Sequence, residues 1–203
     1  MTSGQYSKGL FALGGTGAII LSIASVIMAV VGLWSFWMLV YGLWPLWIDT
    51  FVWYLTLITG LILLLIGSIF VGIANYAFYQ HFERPIGIAG LVFGVICSVA
   101  LLVFATIGML PIGNGDYPSL FSLVLYWVGL LLFGTMLVIW GVASIVARKS
   151  TSMPGLSLAA GIVLIVAGCF VASFFLTFVG FILLISAQIM SAILFLKMAV
   201  ASN

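Results

Sequence analysis

Long apolar runs constrain this chain more than any other feature of its sequence. Several of them exceed the roughly 20 residues that a helix needs to cross a bilayer. Of the 203 residues, 66% are hydrophobic and only 4% are charged, whereas a soluble domain carries roughly a quarter charged residues. Within a bilayer each span must satisfy its own backbone hydrogen bonds, which favours helices. The sequence therefore predicts an all-α, polytopic membrane protein.

Polar and turn-forming residues divide the apolar sequence into six spans. Residues 79–85 hold the only histidine, His81, and are predicted to form the turn between spans two and three. Residues 111–118 are dense in turn formers, residues 148–154 form another polar break, and residues 177–180 form a weaker one. We expect one domain, residues 1–203, with spans at approximately 10–43, 51–79, 86–110, 119–146, 155–176 and 179–199.

The basic residues predict the orientation of this six-helix bundle. All of them fall at one end when the chain crosses six times, whereas Asp49 and Asp116 fall at the other end. The positive-inside rule then places both termini in the cytoplasm of a multi-pass cell-membrane protein. The basic residues do not cluster along the sequence, so nucleic acid is not an expected partner. They are Lys8, Arg84, Arg148, Lys149 and Lys197.

The odd-numbered spans begin alike. Lys8, Arg84 and Met153 each precede a start rich in glycine and other small residues. This similarity indicates a degenerate three-fold repeat of helical hairpins. Biased composition alone would produce the same similarity, so both explanations stay open.

Small residues recur along three spans at spacings typical of helix–helix contacts. Lipid tails are as apolar as leucine, so close backbone approach, rather than burial alone, holds membrane helices together. These rows predict packing surfaces, either within the chain or against another subunit. The residues are Ala18, Ser22, Ser25, Ala29 and Gly32 in span one, Gly60, Gly67 and Ala74 in span two, and Gly90, Gly94 and Ser98 in span three.

Aromatic residues late in span one, with the segment that follows, form the most prominent candidate for a ligand or partner surface. At about 100° per residue, their centre lies about 120° from the small-residue row of span one. They are therefore expected to face lipid, a partner or a crevice. Tryptophan and tyrosine also line membrane interfaces, and aromatic cages bind cationic ligands, so both alternatives stay open. The candidates are Trp34, Trp37, Tyr41, Trp44 and Trp47.

Two amides are the strongest polar groups expected at membrane depth. Gln188 lies near the middle of span six, and Asn75 lies in span two. Each is predicted to make an interhelical hydrogen bond. Contact with a solute inside the bundle is the alternative, and it adds Gln188 to the possible ligand or partner surface.

Ionisable groups inside spans usually mark proton or ion pathways, and here every acidic or basic residue maps to a turn or a span end. His81, which could ligate a haem iron, is predicted to lie in a turn. Cys97 and Cys169 lie in apolar runs, without metal-type spacing, and are expected to be buried free thiols. The sequence predicts no catalytic residue, metal or cofactor, and hence a protein that is not an enzyme.

A glycine-rich motif near the N terminus resembles a known family. Residues 13–19, Leu-Gly-Gly-Thr-Gly-Ala-Ile, are similar to the opening signature of an archaeal family of multi-pass membrane proteins, the domain of unknown function 996. The chain departs from the family pattern in its tryptophan-rich residues 34–54. The resemblance implies an archaeal membrane protein and no particular activity. The last hairpin is similar too, at residues 155–156, 160–161, 168, 179–183 and 192.

Two functions fit these observations. The first is a non-enzymatic structural or accessory subunit that packs in the lipid bilayer beside other membrane subunits of a larger complex. The alternative is a carrier or solute-binding component for a small neutral or apolar molecule. Few convergent polar groups are available to orient a ligand, which favours the first function.

Overall fold

The computed structural model of the chain describes residues 3–41, 50–82, 86–109, 120–173 and 176–201. A short 3-10 helix, Arg148–Ser150, follows the fourth α-helix directly. All regular elements in the described ranges are helical, which confirms the predicted six-helix bundle. The α-helices are α1 Ser3–Tyr41, α2 Thr50–Phe82, α3 Ile86–Met109, α4 Leu120–Ala147, α5 Pro154–Ala172 and α6 Thr177–Ala201.

Most of the helices are long and apolar enough to cross a bilayer. Five of them contain such apolar spans by length and composition, and α3 contributes a described apolar segment, Ile88–Phe104. α1 has 39 residues and α2 has 33. At 1.5 Å per residue they measure about 58 and 50 Å, which exceeds the hydrocarbon thickness of about 30 Å. Both helices therefore extend beyond the hydrocarbon region of a membrane.

The predicted turn at residues 79–85 is partly wrong. α2 continues through His81 to Phe82, so residues 79–82 are helical. Tyr, Gln, His and Phe have ordinary helix propensities, and Pro85 is the first strong helix breaker in this stretch. Residues 83–85, with Glu83 and Arg84, lie outside the described residues.

The predicted division of the last apolar stretch into two helices is confirmed, but the break lies before residues 177–180. α5 ends at Ala172, and α6 already begins at Thr177. The amide of Ser173 donates to the Phe170 carbonyl in a tight turn. Gly180 does not interrupt a helix. A Cβ added there would lie 2.5 Å from the backbone nitrogen of Val171, so this glycine lets α6 pack closely on α5.

The six helices form a closed ring. Each packs against its neighbours in sequence, and α6 closes back onto α1. Rings of Phe133 on α4 and Phe181 on α6 stack with their centroids 6.3 Å apart, although α5 lies between these helices along the chain. Large side chains fill the interior, and many aliphatic side chains point outward. The bulkiest buried residues, each under 2% exposed, are Trp140, Phe11, Phe133 and Phe181.

One contact recurs in all three helical hairpins. A glycine of the even-numbered helix faces a large side chain of the preceding odd-numbered helix. Each large residue follows two buried small residues in a small-small-x-x-large pattern, at residues 24–28, 97–101 and 167–171. The connections within the hairpins range from 4 to 10 residues between the helix ends, yet the contact is kept, which supports the predicted three-fold repeat. The pairs are Gly60 with Met28, Gly129 with Leu101, and Gly180 with Val171.

Candidate functional site

The small-residue row of α1 lies on its inner side. Ala18 and Ser25 are fully buried, and a Cβ added at Gly32 would contact Phe178 of α6 at 3.4 Å. Ser22, Ala29 and Gly32 are partly buried. The hydroxyl of Ser25 donates to the Leu21 carbonyl at 2.7 Å. Small size thus brings α1 close to its neighbours while its hydroxyls stay bonded within the helix.

Glycines that are absent from the predicted packing rows bring α1 closest to α2 and α6. A Cβ added at Gly17 would lie 2.9 Å from the Gly67 carbonyl oxygen, and one at Gly67 would lie 3.0 Å from that of Gly17. Gly14 faces Ala74, and Gly15 faces Leu196 of α6. These glycines belong to the motif at residues 13–19, where adjacent and alternate glycines indicate close contacts on two sides of one helix.

The seven-residue row of α2 faces α1 throughout. Gly67 packs on Leu21 and Gly60 on Met28, where added Cβ atoms would lie 2.7 and 2.9 Å from side-chain atoms. Ala74 lies against Gly14. A spacing of seven residues keeps the three positions on one side of a helix, so the row follows the whole α1–α2 contact.

The packing rows predicted from the sequence also leave out the two closest contacts between α4 and α5. A Cβ at Gly168 would lie 2.6 Å from the Gly134 carbonyl oxygen, and one at Gly141 would lie 2.6 Å from the Gly161 carbonyl oxygen. The spacing is seven residues on each helix, and the helices run antiparallel. The hydroxyl of Ser157 also donates to the Ser144 carbonyl at 2.7 Å. Glycine pairs at matched seven-residue spacing were the available sequence signal.

The glycine row of α3 accommodates an indole ring rather than a neighbouring backbone. A Cβ at Gly94 would lie 2.9 Å from Cζ2 of Trp140, whose Nε1 donates to the Gly90 carbonyl at 2.8 Å. An added Cβ at Gly90 would also meet the Asn75 side chain at 3.1 Å. The hydroxyl of Ser98 contacts the Met136 sulfur at 3.5 Å. All these groups are buried.

The buried amides do not form the predicted interhelical hydrogen bonds. Nδ2 of Asn75 donates to the Val71 carbonyl of its own helix at 3.1 Å. Gln188 is 1% exposed, and neither amide atom has a hydrogen-bond partner. The Ser68 hydroxyl also lacks one. Each of the Gln188 amide atoms has less than 1 Å² of accessible surface, so no water-sized space adjoins the amide.

Little of the aromatic segment lies in the described structure. Trp34 is partly buried and packs against the core. The direction expected for the aromatic face as a whole stays a prediction. The backbone of α1 is described at Trp37 and Tyr41, but their side chains are not among the described residues. Trp44 and Trp47 lie outside the described residues. A ligand cage or an aromatic belt at this end therefore stays a prediction.

The two cysteines occupy different environments. Cys97 is buried as expected, whereas Cys169 is exposed on the outside of the bundle. Cys169 directly follows the inward-facing Gly168 on α5, so its side chain points to the outer side of that helix. Among the described residues, no three His, Cys, Asp or Glu side chains come together as metal ligands.

A groove of about 480 Å³ lies where α5 begins and α6 ends. It is bordered by Ser152 and Met153 before α5, and Lys197 is exposed on its other side. Lys8, near the start of α1, lies at the same end of the bundle as Lys197, because Gly15 contacts Leu196. Arg148 and Lys149 lie in the 3-10 helix just before Ser152. We call this the basic end. The groove is lined by Ser152, Met153, Leu196, Lys197, Val200 and Ala201.

Comparisons of this chain with protein-family models, with curated proteins and with solved structures find no match. The resemblance of residues 13–19 to the domain of unknown function 996 therefore stays a prediction.

Proposed function

We propose that this chain is a non-enzymatic structural or accessory subunit that packs beside other membrane proteins in a larger complex of the cell membrane. The observation that supports this proposal is the interior of the ring, which large side chains fill in the described part of the helices. Trp140, Phe133 and Phe181 are buried there, and backbone contacts through glycine pairs tie neighbouring helices together. A carrier needs a pocket with a few convergent polar groups, whereas a packed bundle serves as a rigid element of an assembly.

Copurification tests the accessory function. The tagged full-length chain is extracted from its native membrane in a mild detergent, and its associated proteins are measured by quantitative mass spectrometry. We expect one or more membrane proteins in fixed stoichiometry. A chain that is purified alone after crosslinking in the intact membrane would contradict the proposal.

The unpartnered amide of Gln188 supports the second candidate, a carrier for a small neutral or apolar molecule. A buried amide without a partner costs about 1–3 kcal/mol, and a bound solute with a donor and an acceptor would remove that cost. No water-sized space adjoins the amide in this structure, so a solute requires the helices around it to move apart. Solute binding that is lost in Gln188→Leu, in a variant that still folds, would favour the carrier over the accessory subunit.

The orientation of the bundle belongs to the same proposal. We propose that the basic end faces the cytoplasm, because basic residues near span ends are retained on that side. The structure supports the premise: the described residues Lys8, Arg148, Lys149 and Lys197 lie at one end of the bundle.

A further inference from the structure

The groove at the basic end combines apolar walls with one ammonium group. Four of its six lining residues are apolar, namely Met153, Leu196, Val200 and Ala201. Leu196 is 42% exposed and Val200 is 70% exposed, so both offer apolar surface at the outside of the bundle. Ser152 and Lys197 are its two polar lining residues. A groove of this kind suits a molecule with an apolar body and a polar end.

The charge around the groove selects an anion for that polar end. The described ranges contain four basic residues and no acidic one, since Asp49, Glu83 and Asp116 all fall outside those ranges. Lys149 is exposed at the same end of the bundle but is not a lining residue of the groove. The described charges at this end are therefore all positive, and a basic residue near a membrane surface contributes roughly 1 kcal/mol to the attraction of anionic lipid.

We propose that this groove binds an anionic phospholipid. The phosphate group lies against Lys197, with Ser152 as a hydrogen-bond donor, and an acyl chain follows the apolar walls formed by Leu196 and Val200. Lysine binds phosphate as a point charge, and its alkyl stem lies along apolar surface while the ammonium reaches the headgroup level. Free phosphate would leave the apolar walls uncovered, which is why we assign the site to a lipid. The site is independent of the accessory function.

Lipid binding to the detergent-purified full-length chain is measurable by native mass spectrometry. Phosphatidylglycerol is titrated in parallel with phosphatidylcholine of the same acyl chains. We expect the first phosphatidylglycerol to bind about five-fold more tightly, and Lys197→Gln to remove that preference. A five-fold change corresponds to about 1 kcal/mol, the contribution of one basic residue. Lys197→Arg keeps the charge and is expected to keep the preference.

The matched control is Lys149→Gln, which removes one positive charge from the same end without changing the groove lining. We expect it to alter the first binding constant by less than two-fold. An equal loss in both variants would show a diffuse charge effect and overturn the proposal, as would equal affinity of the parent chain for both lipids. Displacement of phosphatidylglycerol by millimolar inorganic phosphate would assign the site to free phosphate instead. Circular dichroism checks that each variant is folded.

Discussion

At the scale of single residues, Trp140 makes the most specific contact in the bundle. Its ring packs on Gly94, and its indole nitrogen donates to the Gly90 carbonyl. The arrangement agrees with the predicted three-fold repeat. Leu21 and Leu164 lie seven residues before Met28 and Val171, and Gly94 occupies the same position before Leu101. In the middle hairpin a glycine thus replaces leucine, and tryptophan fills the space from the opposite helix.

Gly94→Leu is expected to destabilise the chain. The added side chain would meet the Trp140 ring, since even a Cβ lies 2.9 Å from it. Overpacking of this kind costs about 1–3 kcal/mol, so the melting temperature in detergent should fall. Val92→Leu is the matched control, because Val92 is 46% exposed and has room for a larger side chain. Equal melting temperatures for both variants would show that Trp140 moves away at little cost.

Gln188→Leu tests the buried amide. Leucine has nearly the same volume and removes two polar atoms that lack partners. Replacing an unsatisfied buried group with an apolar one is nearly neutral or stabilising. We expect a melting temperature equal to or above that of the parent chain. A drop of several degrees would mean that the amide has a polar partner in the membrane, such as an internal water molecule or a solute.

At the scale of helices, α4 and α5 show how glycine pairs determine helix separation. The two pairs are reciprocal: each glycine of a pair faces the carbonyl oxygen of the other. A backbone oxygen cannot rotate away as a side chain can, so any Cβ at these positions forces the helices apart. When the two helices separate, the matched surfaces between the glycine pairs lose favourable dispersion energy. Membrane helices depend on that term more than soluble ones do.

A pair of glycine-to-alanine substitutions in α5 isolates this effect. Gly168→Ala places a Cβ 2.6 Å from the Gly134 carbonyl oxygen, whereas a Cβ at Gly155 meets nothing within 4 Å. We expect Gly168→Ala to lower stability by about 1–3 kcal/mol. Gly155→Ala is expected to raise it by roughly 0.4–1 kcal/mol through reduced freedom of the unfolded chain. Thermal unfolding in the same detergent measures the stability change of each variant. A Gly168→Ala variant that is more stable than the Gly155→Ala variant would contradict the packing of α5 on α4.

At the scale of the whole molecule, the ring places the start of α1 beside the end of α6, because Gly15 contacts Leu196. The first and last described residues, Ser3 and Ala201, therefore lie toward the basic end. An even number of membrane crossings and the positions of the basic residues both place the start of α1 and the end of α6 at the same end. Which side of the membrane that end faces depends on insertion rather than on packing, so it needs a separate measurement.

Cysteine labelling measures the orientation directly. Thr2→Cys and Asp116→Cys are made separately in a Cys97→Ala, Cys169→Ala background, which matters because Cys169 is exposed. We expect an impermeant thiol reagent added outside intact cells to label position 116 and not position 2. Labelling of both positions from outside would rule out the six-span topology, and labelling of position 2 alone would reverse the orientation.

Local sequence determined the broad architecture of this protein. The length and composition of the apolar runs require membrane helices, and the seven-residue row of Gly60, Gly67 and Ala74 marks one side of α2 as a packing surface. These properties depend on neighbouring residues along one helix, so the sequence alone reveals them. Helix ends were less predictable, because His81 has no breaker beside it and Gly180 serves packing rather than termination.

Tertiary structure alone decided which helices meet and which side chains share space. The reciprocal contact of Gly134 with Gly168, the slot for Trp140 and the groove beside Lys197 each join residues from different helices. Their contacts depend on the separation and register of two helices, which no periodicity within one helix records. The unpartnered Gln188 follows the same rule, since its depth is readable from the sequence but its lack of a partner depends on what the neighbouring helices place around it.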